Sequence, residues 1–203
     1  AAIHLARQYG DQSDGIRRLS LGLMLILIAT IFVLKSGASD YPVRKKSDNF
    51  SQRLKLRKTY WESSLSRYVS YRATNVKLSI FLFLLIGFTG GFFGLGGGWA
   101  AVPLLNLVMS IPIKVATGTS GVLLALGNAA AIWPYINVGA LIGIIAAPWM
   151  LGQVIGGLIG ASLLSSLKAS VVRALLVAIL FGSSLKLIAR GIEALTGIQI
   201  PLL

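Results

Sequence analysis

The residues best placed to do chemistry in this chain are small and neutral: Gly94, Gly96, Gly97 and Gly98, followed by Trp99. Clustered glycine is a poor helix former and permits positive φ, so the backbone here is free to leave a helix and present its N–H groups. Oxyanion oxygens accept hydrogen bonds from such groups, most readily where a helix begins. Thr117, Gly118, Thr119 and Ser120 read as a second helix start, whose hydroxyls can cap the helix or touch an anion. The same hydroxyls can instead bond their own helix backbone. Lys114 adds one positive charge nearby, and equally marks a membrane surface. Asn128 is a lone amide in an apolar run, where an interhelical hydrogen bond is its other reading. Together these positions are the candidate substrate-binding residues.

What the chain lacks narrows the chemistry. Its six acids are Asp11, Asp14, Asp40, Asp48, Glu62 and Glu193, and none falls in an apolar segment. Carboxylates inside a membrane are costly and mark proton relays and cation paths. Cysteine is absent, and the single histidine, His4, lies outside the apolar runs. The apolar segments therefore lack the usual residues of an intramembrane metalloenzyme or a carboxylate proton relay, and no thiolate metal site is available. The expectation is a non-enzyme with no metal and no cofactor, handling a neutral or anionic solute.

The elements that must position these residues are membrane helices. The 203 residues are 55% hydrophobic and 12% charged, with a mean hydropathy of +0.79. A soluble domain sits nearer a quarter charged. Residues 19–34, 78–109, 115–136, 139–164 and 171–189 are almost free of charge, enough for four or five spans of about 20 residues. As one straight helix, 78–109 would run about 48 Å, too long for a hydrocarbon core of about 30 Å. The glycine run 94–98 divides it, and Pro103 sits in the first turns of the second part, where proline is tolerated. Non-helical backbone at membrane depth is allowed only where protein covers it or it lines a cavity. The predicted fold is an all-α integral membrane protein, a helical bundle with a discontinuous, re-entrant helix pair. Gly152, Gly156 and Gly160 read as a small-residue face for helix packing.

Between Lys35 and Lys77 lie eleven Lys and Arg against three acids, which places this loop in the cytoplasm. Phe50, Leu54, Trp61, Leu65, Tyr68 and Val69 recur there at three- to four-residue spacing, the pattern of a helix lying on anionic lipid. A solvated linker is the plainer reading, and nucleic acid is not an expected partner. The domains are then 1–35, a membrane helix; 36–77, the basic loop with its interfacial helix; and 78–203, the main transmembrane unit.

The ordered run Gly94–Gly98, Val102-Pro103-Leu104-Leu105, Ile111-Pro112 and Ala116–Ser120 resembles the sulfite exporter TauE/SafE family, also called the 4-toluene sulfonate uptake permease family. The similarity extends over about residues 78–190, mainly the family's C-terminal half. The resemblance implies a secondary carrier or exporter, built from two similar halves, that moves sulfite, sulfonates or related organic anions across the inner membrane. Ile16-Arg17-Arg18-Leu19 before one apolar helix is similar to Val172-Arg173-Ala174-Leu175 before another. On that reading 1–35 is the last helix of a truncated first repeat, 78–203 is the second repeat, and the missing first-repeat half is a partner alongside the bilayer and the anion. The start at Ala1 without methionine points the same way. Homo-oligomerisation stays open. So does topology: a re-entrant 78–109 gives inverted halves and a crossing one gives parallel halves, and Lys/Arg placement separates the two by one charge. The other function classes are a non-transporting membrane subunit and an anion channel.

Overall fold

The computed structural model describes residues 2–34, 41, 49–93, 97–139 and 143–196. Their order is α1 (Ala2–Leu34), α2 (Asn49–Arg53), β1 (Arg57–Glu62), β2 (Arg67–Arg72), α3 (Val76–Phe93), α4 (Gly98–Pro103), α5 (Ile113–Asn137), α6 (Gly143–Ser166) and α7 (Ala169–Thr196). A π-helical turn, Leu104–Val108, continues α4. Among the described residues four helical stretches are long and apolar enough to cross a membrane: Gly15–Leu34, Ile113–Asn137, Ala146–Ser166 and Ala169–Thr196. The protein is an all-α membrane protein, with one small hairpin among the described residues.

Helices α1 and α7 form the best-packed seam. Gly22 faces Ile188, Gly191 faces the backbone of Leu19, and Gly15 faces Leu195. As residue numbers rise on one helix they fall on the other, so the two run antiparallel. Leu25, Ala29 and Leu180 are buried within the seam, and the Arg173 guanidinium lies 5.5 Å from the Phe32 ring centre near one end.

The long apolar segment breaks as its length demands, and it also folds back. Helix α3 ends at Phe93 and α4 starts at Gly98. Of the glycine run, Gly94–Gly96 lie outside the described residues; Gly98 is the first residue of a helix rather than part of a non-helical stretch. Pro103 has no N–H to give its own turn, and the helix beyond it loosens into the π turn, with Met109 N–H bonded to Leu104 O at 3.3 Å. The two ends of the excursion then meet. Thr74 N–H donates to Met109 O (3.0 Å), Thr74 Oγ1 donates to Ser110 Oγ (3.2 Å), and Asn75 Nδ2 donates to Val108 O (3.3 Å). Ser110 and Asn75 both take positive φ to make this closure.

The basic loop departs from expectation. Residues 57–72 form an antiparallel hairpin, not an interfacial helix, and α2 spans only five residues. Thr59, Tyr60, Trp61, Tyr68, Val69 and Tyr71 are β-branched or aromatic and suit a pleated surface. Ser63, Ser64 and Ser66 supply the turn, with Leu65 N–H bonded to Glu62 O at 3.1 Å and Ser66 at φ 48. Counting every third or fourth apolar residue passed over Tyr60 and Tyr71, which the period of two brings onto one inward face.

A second departure concerns 117–120. Pro112, extended at ψ 141, precedes α5, which begins at Ile113, so Thr117–Ser120 lie inside the helix rather than at its start. Proline cannot donate and restrains the residue before it, so the helix starts four residues earlier, at Ile113. Finally, the Gly152–Gly160 face has nothing within 4 Å of any position where a Cβ would stand. Among the described residues, α6 packs no helix on that face.

Candidate functional site

The break between α3 and α4 opens onto a cavity of about 520 Å³ between α3, α4 and α5. Six glycines line it: Gly87, Gly90 and Gly91 from α3, Gly97 and Gly98 at the break, and Gly127 from α5. Among the described lining residues there is no charged side chain, and the side-chain hydrogen-bonding groups are Asn128 and Tyr135. Both lie on one stripe of α5 with Leu124 and Ala131, at spacings of three and four that return to one face. Asn128 and Tyr135 are exposed, so the cavity is open on the α5 side.

Glycine at the break leaves room for two neighbouring side chains. A Cβ on Gly98 would stand 2.6 Å from Leu124 Cδ1, so its absence lets α4 approach α5. Gly97 has φ −92 and ψ 1, and a Cβ there would stand 3.2 Å from Ile86 Cγ2. The first N–H groups of a helix have no partner within it, and Gly97 and Gly98, where α4 begins, line the cavity.

The sequence candidates separate into groups. Gly97, Gly98 and Asn128 come together at this cavity. Trp99 turns the other way, with Gly98, into a second cavity of about 320 Å³ lined by Phe32, Leu180 and Ser183. Its indole N–H is buried and has no hydrogen-bond partner among the described residues. Thr117 Oγ1 donates to Ile113 O (2.8 Å) and Ser120 Oγ to Thr117 O (2.7 Å), so both hydroxyls serve their own helix. Gly118 and Thr119 do not line the cavity, and Gly94 and Gly96 lie outside the described residues.

Lys114 is engaged elsewhere. Its ammonium donates to Glu62 Oε1 at 2.5 Å and to Ser165 O at 3.2 Å. Glu62 also accepts from Ser64 Oγ (2.6 Å), Ser64 N–H (3.2 Å) and Tyr60 Oη (3.2 Å). Burial opposes its charge, but the bonds from Lys114 and Ser64 outweigh burial and hold the carboxyl below the ordinary glutamate value. Tyr60 is pushed upward by burial first and then by the Glu62 charge. One lysine therefore ties the hairpin, α5 and α6 together at one end of the molecule. Sequence reading missed Glu62 and Tyr135. The signal for the first is that Glu62 is the lone acid in 49–192 and Lys114 the lone base in 78–167.

A helical chain with several apolar spans and a cavity at a glycine-broken segment defines a multi-pass membrane protein. The chain belongs to the sulfite exporter TauE/SafE family, whose family model matches residues 5–187, more than the segment the motif alone indicated. It is similar to "Probable membrane transporter protein YunE" of Bacillus subtilis (strain 168), at 27% identity over 172 residues. That alignment takes in 84% of this chain and 59% of the relative, so the chain spans less than two thirds of the relative's length. No solved structure matches it.

Proposed function

We infer that this chain forms one half of the pathway of a secondary carrier for small sulfur-containing anions, such as sulfite or sulfonates. The observation that carries the reading is the glycine-lined cavity with the start of the α4 segment at its wall. An anion there meets backbone N–H groups, the Asn128 amide and the Tyr135 hydroxyl, with no carboxylate in the lining to repel it. Neutral donors suit a carrier, which must release what it binds. Membership of an exporter family supports the solute class.

The arrangement also supports a re-entrant 78–109. The ends of that segment are bonded to each other through Thr74 and Met109, and Lys114 reaches both the basic hairpin and the last turn of α6. All of these then belong to one side, the cytoplasmic one by the positive-inside rule. Antiparallel α1 and α7 favour halves of inverted topology, a recurring transporter design. The exposed α5 stripe and the uncovered glycines of α6 are where the other half would close the cavity.

The test is counter-flow of labelled sulfite in liposomes holding the full-length carrier. Asn128→Ala is expected to weaken saturable exchange several-fold while expression and melting temperature hold, and Gly98→Val to abolish exchange with a lower melting temperature, because its side chain meets Leu124. Exchange by both variants at the wild-type rate removes this cavity from the pathway, and flux without counter-flow makes the protein a channel.

A further inference from the structure

A second site lies away from the cavity, where α2 turns into the hairpin. Leu56 N–H bonds Ser51 O (3.3 Å), Arg57 N–H bonds Lys55 O (2.8 Å), and Lys55 sits at φ 50. This tight winding leaves a notch of about 420 Å³ lined by Ser51, Lys55, Arg57 and Arg72 with Gln52 and Leu56. Two features of it are unexplained by folding. Arg57 and Arg72 are direct cross-strand partners, and like charges placed so repel. Neither they nor Lys55 make an ion pair among the described residues. At the floor, Ser51 is 1% exposed and its Oγ has no hydrogen-bond partner among the described residues. A buried hydroxyl without a partner is costly. Three cations around one orphaned hydroxyl have the chemistry of a phosphate site, since guanidinium forks fit phosphate oxygens.

The hairpin indicates where that phosphate comes from. The strand period of two puts Trp61 and Tyr68 on the same face as Arg57 and Arg72. Trp61 and Tyr68 stack edge to face at 5.0 Å and are 52% and 73% exposed. Exposed Trp and Tyr are residues of the membrane–water boundary. The base of the hairpin stands four residues before α3, which carries the chain into the apolar region. We propose that the Ser51–Lys55–Arg57–Arg72 notch binds the phosphate of an anionic phospholipid headgroup, with Trp61 and Tyr68 seated in the same leaflet.

The test uses the purified full chain in neutral detergent, titrated with short-chain phosphatidylglycerol, phosphatidylcholine or inorganic phosphate while melting is followed. Phosphatidylglycerol is expected to raise the melting temperature and to bind at least about tenfold more tightly than phosphatidylcholine. Arg57→Gln with Arg72→Gln should remove that preference, and Ser51→Ala should weaken binding by about threefold or more. Arg67→Gln, at the far end of the hairpin, should leave it intact. In lipid-free detergent Arg72→Gln should melt no lower than wild type, because it relieves repulsion. The proposal is overturned if Arg67→Gln is as damaging as the double variant, which means diffuse attraction to a basic loop. It is overturned equally if inorganic phosphate stabilises while phosphatidylglycerol does not, or if Arg72→Gln melts early without lipid.

Discussion

The α1–α7 seam and the α5–α6 face use the same residue to opposite ends. In the seam, a Cβ on Gly22 would stand 2.5 Å from Ile188 and one on Gly191 would stand 2.8 Å from the Leu19 backbone. On the other face, Gly121, Gly127, Gly152, Gly156, Gly157 and Gly160 have nothing within 4 Å, and none of the α6 membrane-length window is buried. Glycine spacing alone cannot separate the two uses. In the first region small residues have already bought close approach; in the second they leave room. The difference marks which face this chain packs against itself and which it leaves open.

Breaking the tie that holds the hairpin to α5 and α6 should have the largest effect. Glu62→Gln strands the buried Lys114 ammonium, and one unpaired partner of a buried ion pair costs about 3–5 kcal/mol. Unfolding in detergent should register that loss, and Glu62→Gln with Lys114→Met should recover most of it. The pH dependence follows from the depressed Glu62 carboxyl. Its contribution is complete above the unfolded value of about 4.3 and is lost as pH falls through the lower folded value. Melting of wild type and Glu62→Gln should therefore converge on acidification, and a gap unchanged down to pH 3 would contradict the assignment.

The seam should respond next. Gly191→Ala pushes a methyl against backbone that cannot yield as a side chain can, for about 1–3 kcal/mol. Within the cavity, Tyr135→Phe removes one neutral donor and should weaken anion binding in the full-length protein by about 0.5–1.5 kcal/mol. The smallest effect belongs to the open face. Gly156→Ala should change the stability of this chain by under about 0.5 kcal/mol. A large loss there would mean that the chain already buries that face against itself.

Much of this was legible in the residues. Long uncharged runs gave the membrane class and the spans, because hydrocarbon tolerates little else. That 78–109 is not one continuous helix followed from length against bilayer thickness: Gly97, before α4, is non-helical, and Gly97, Gly98 and Asn128 do meet at one cavity. The hairpin was hidden because Trp61, Leu65 and Tyr68 fit a helical spacing as well as Tyr60, Val69 and Tyr71 fit a strand pairing. Lys114 looked free to meet an anion because its partner Glu62 is 52 residues away in sequence and on another element. Thr117–Ser120 looked like a helix start, yet Pro112 sets the start earlier and the hydroxyls turn inward to their own turn. Long-range pairing and exact helix boundaries are tertiary facts that local composition does not carry.

The closure at Thr74 has a consequence for how the protein meets its surroundings. Thr74, Asn75, Val108, Met109 and Ser110 are all uncharged, and the bonds among them involve amides and hydroxyls only. Such bonds neither titrate in the physiological range nor weaken with ionic strength. The Glu62 carboxyl of the other tie does titrate, in acid below the ordinary glutamate range. Acid should loosen α5 and α6 from the hairpin while the mouth of the broken helix pair stays shut, so the two fastenings of this small molecule answer to different weather.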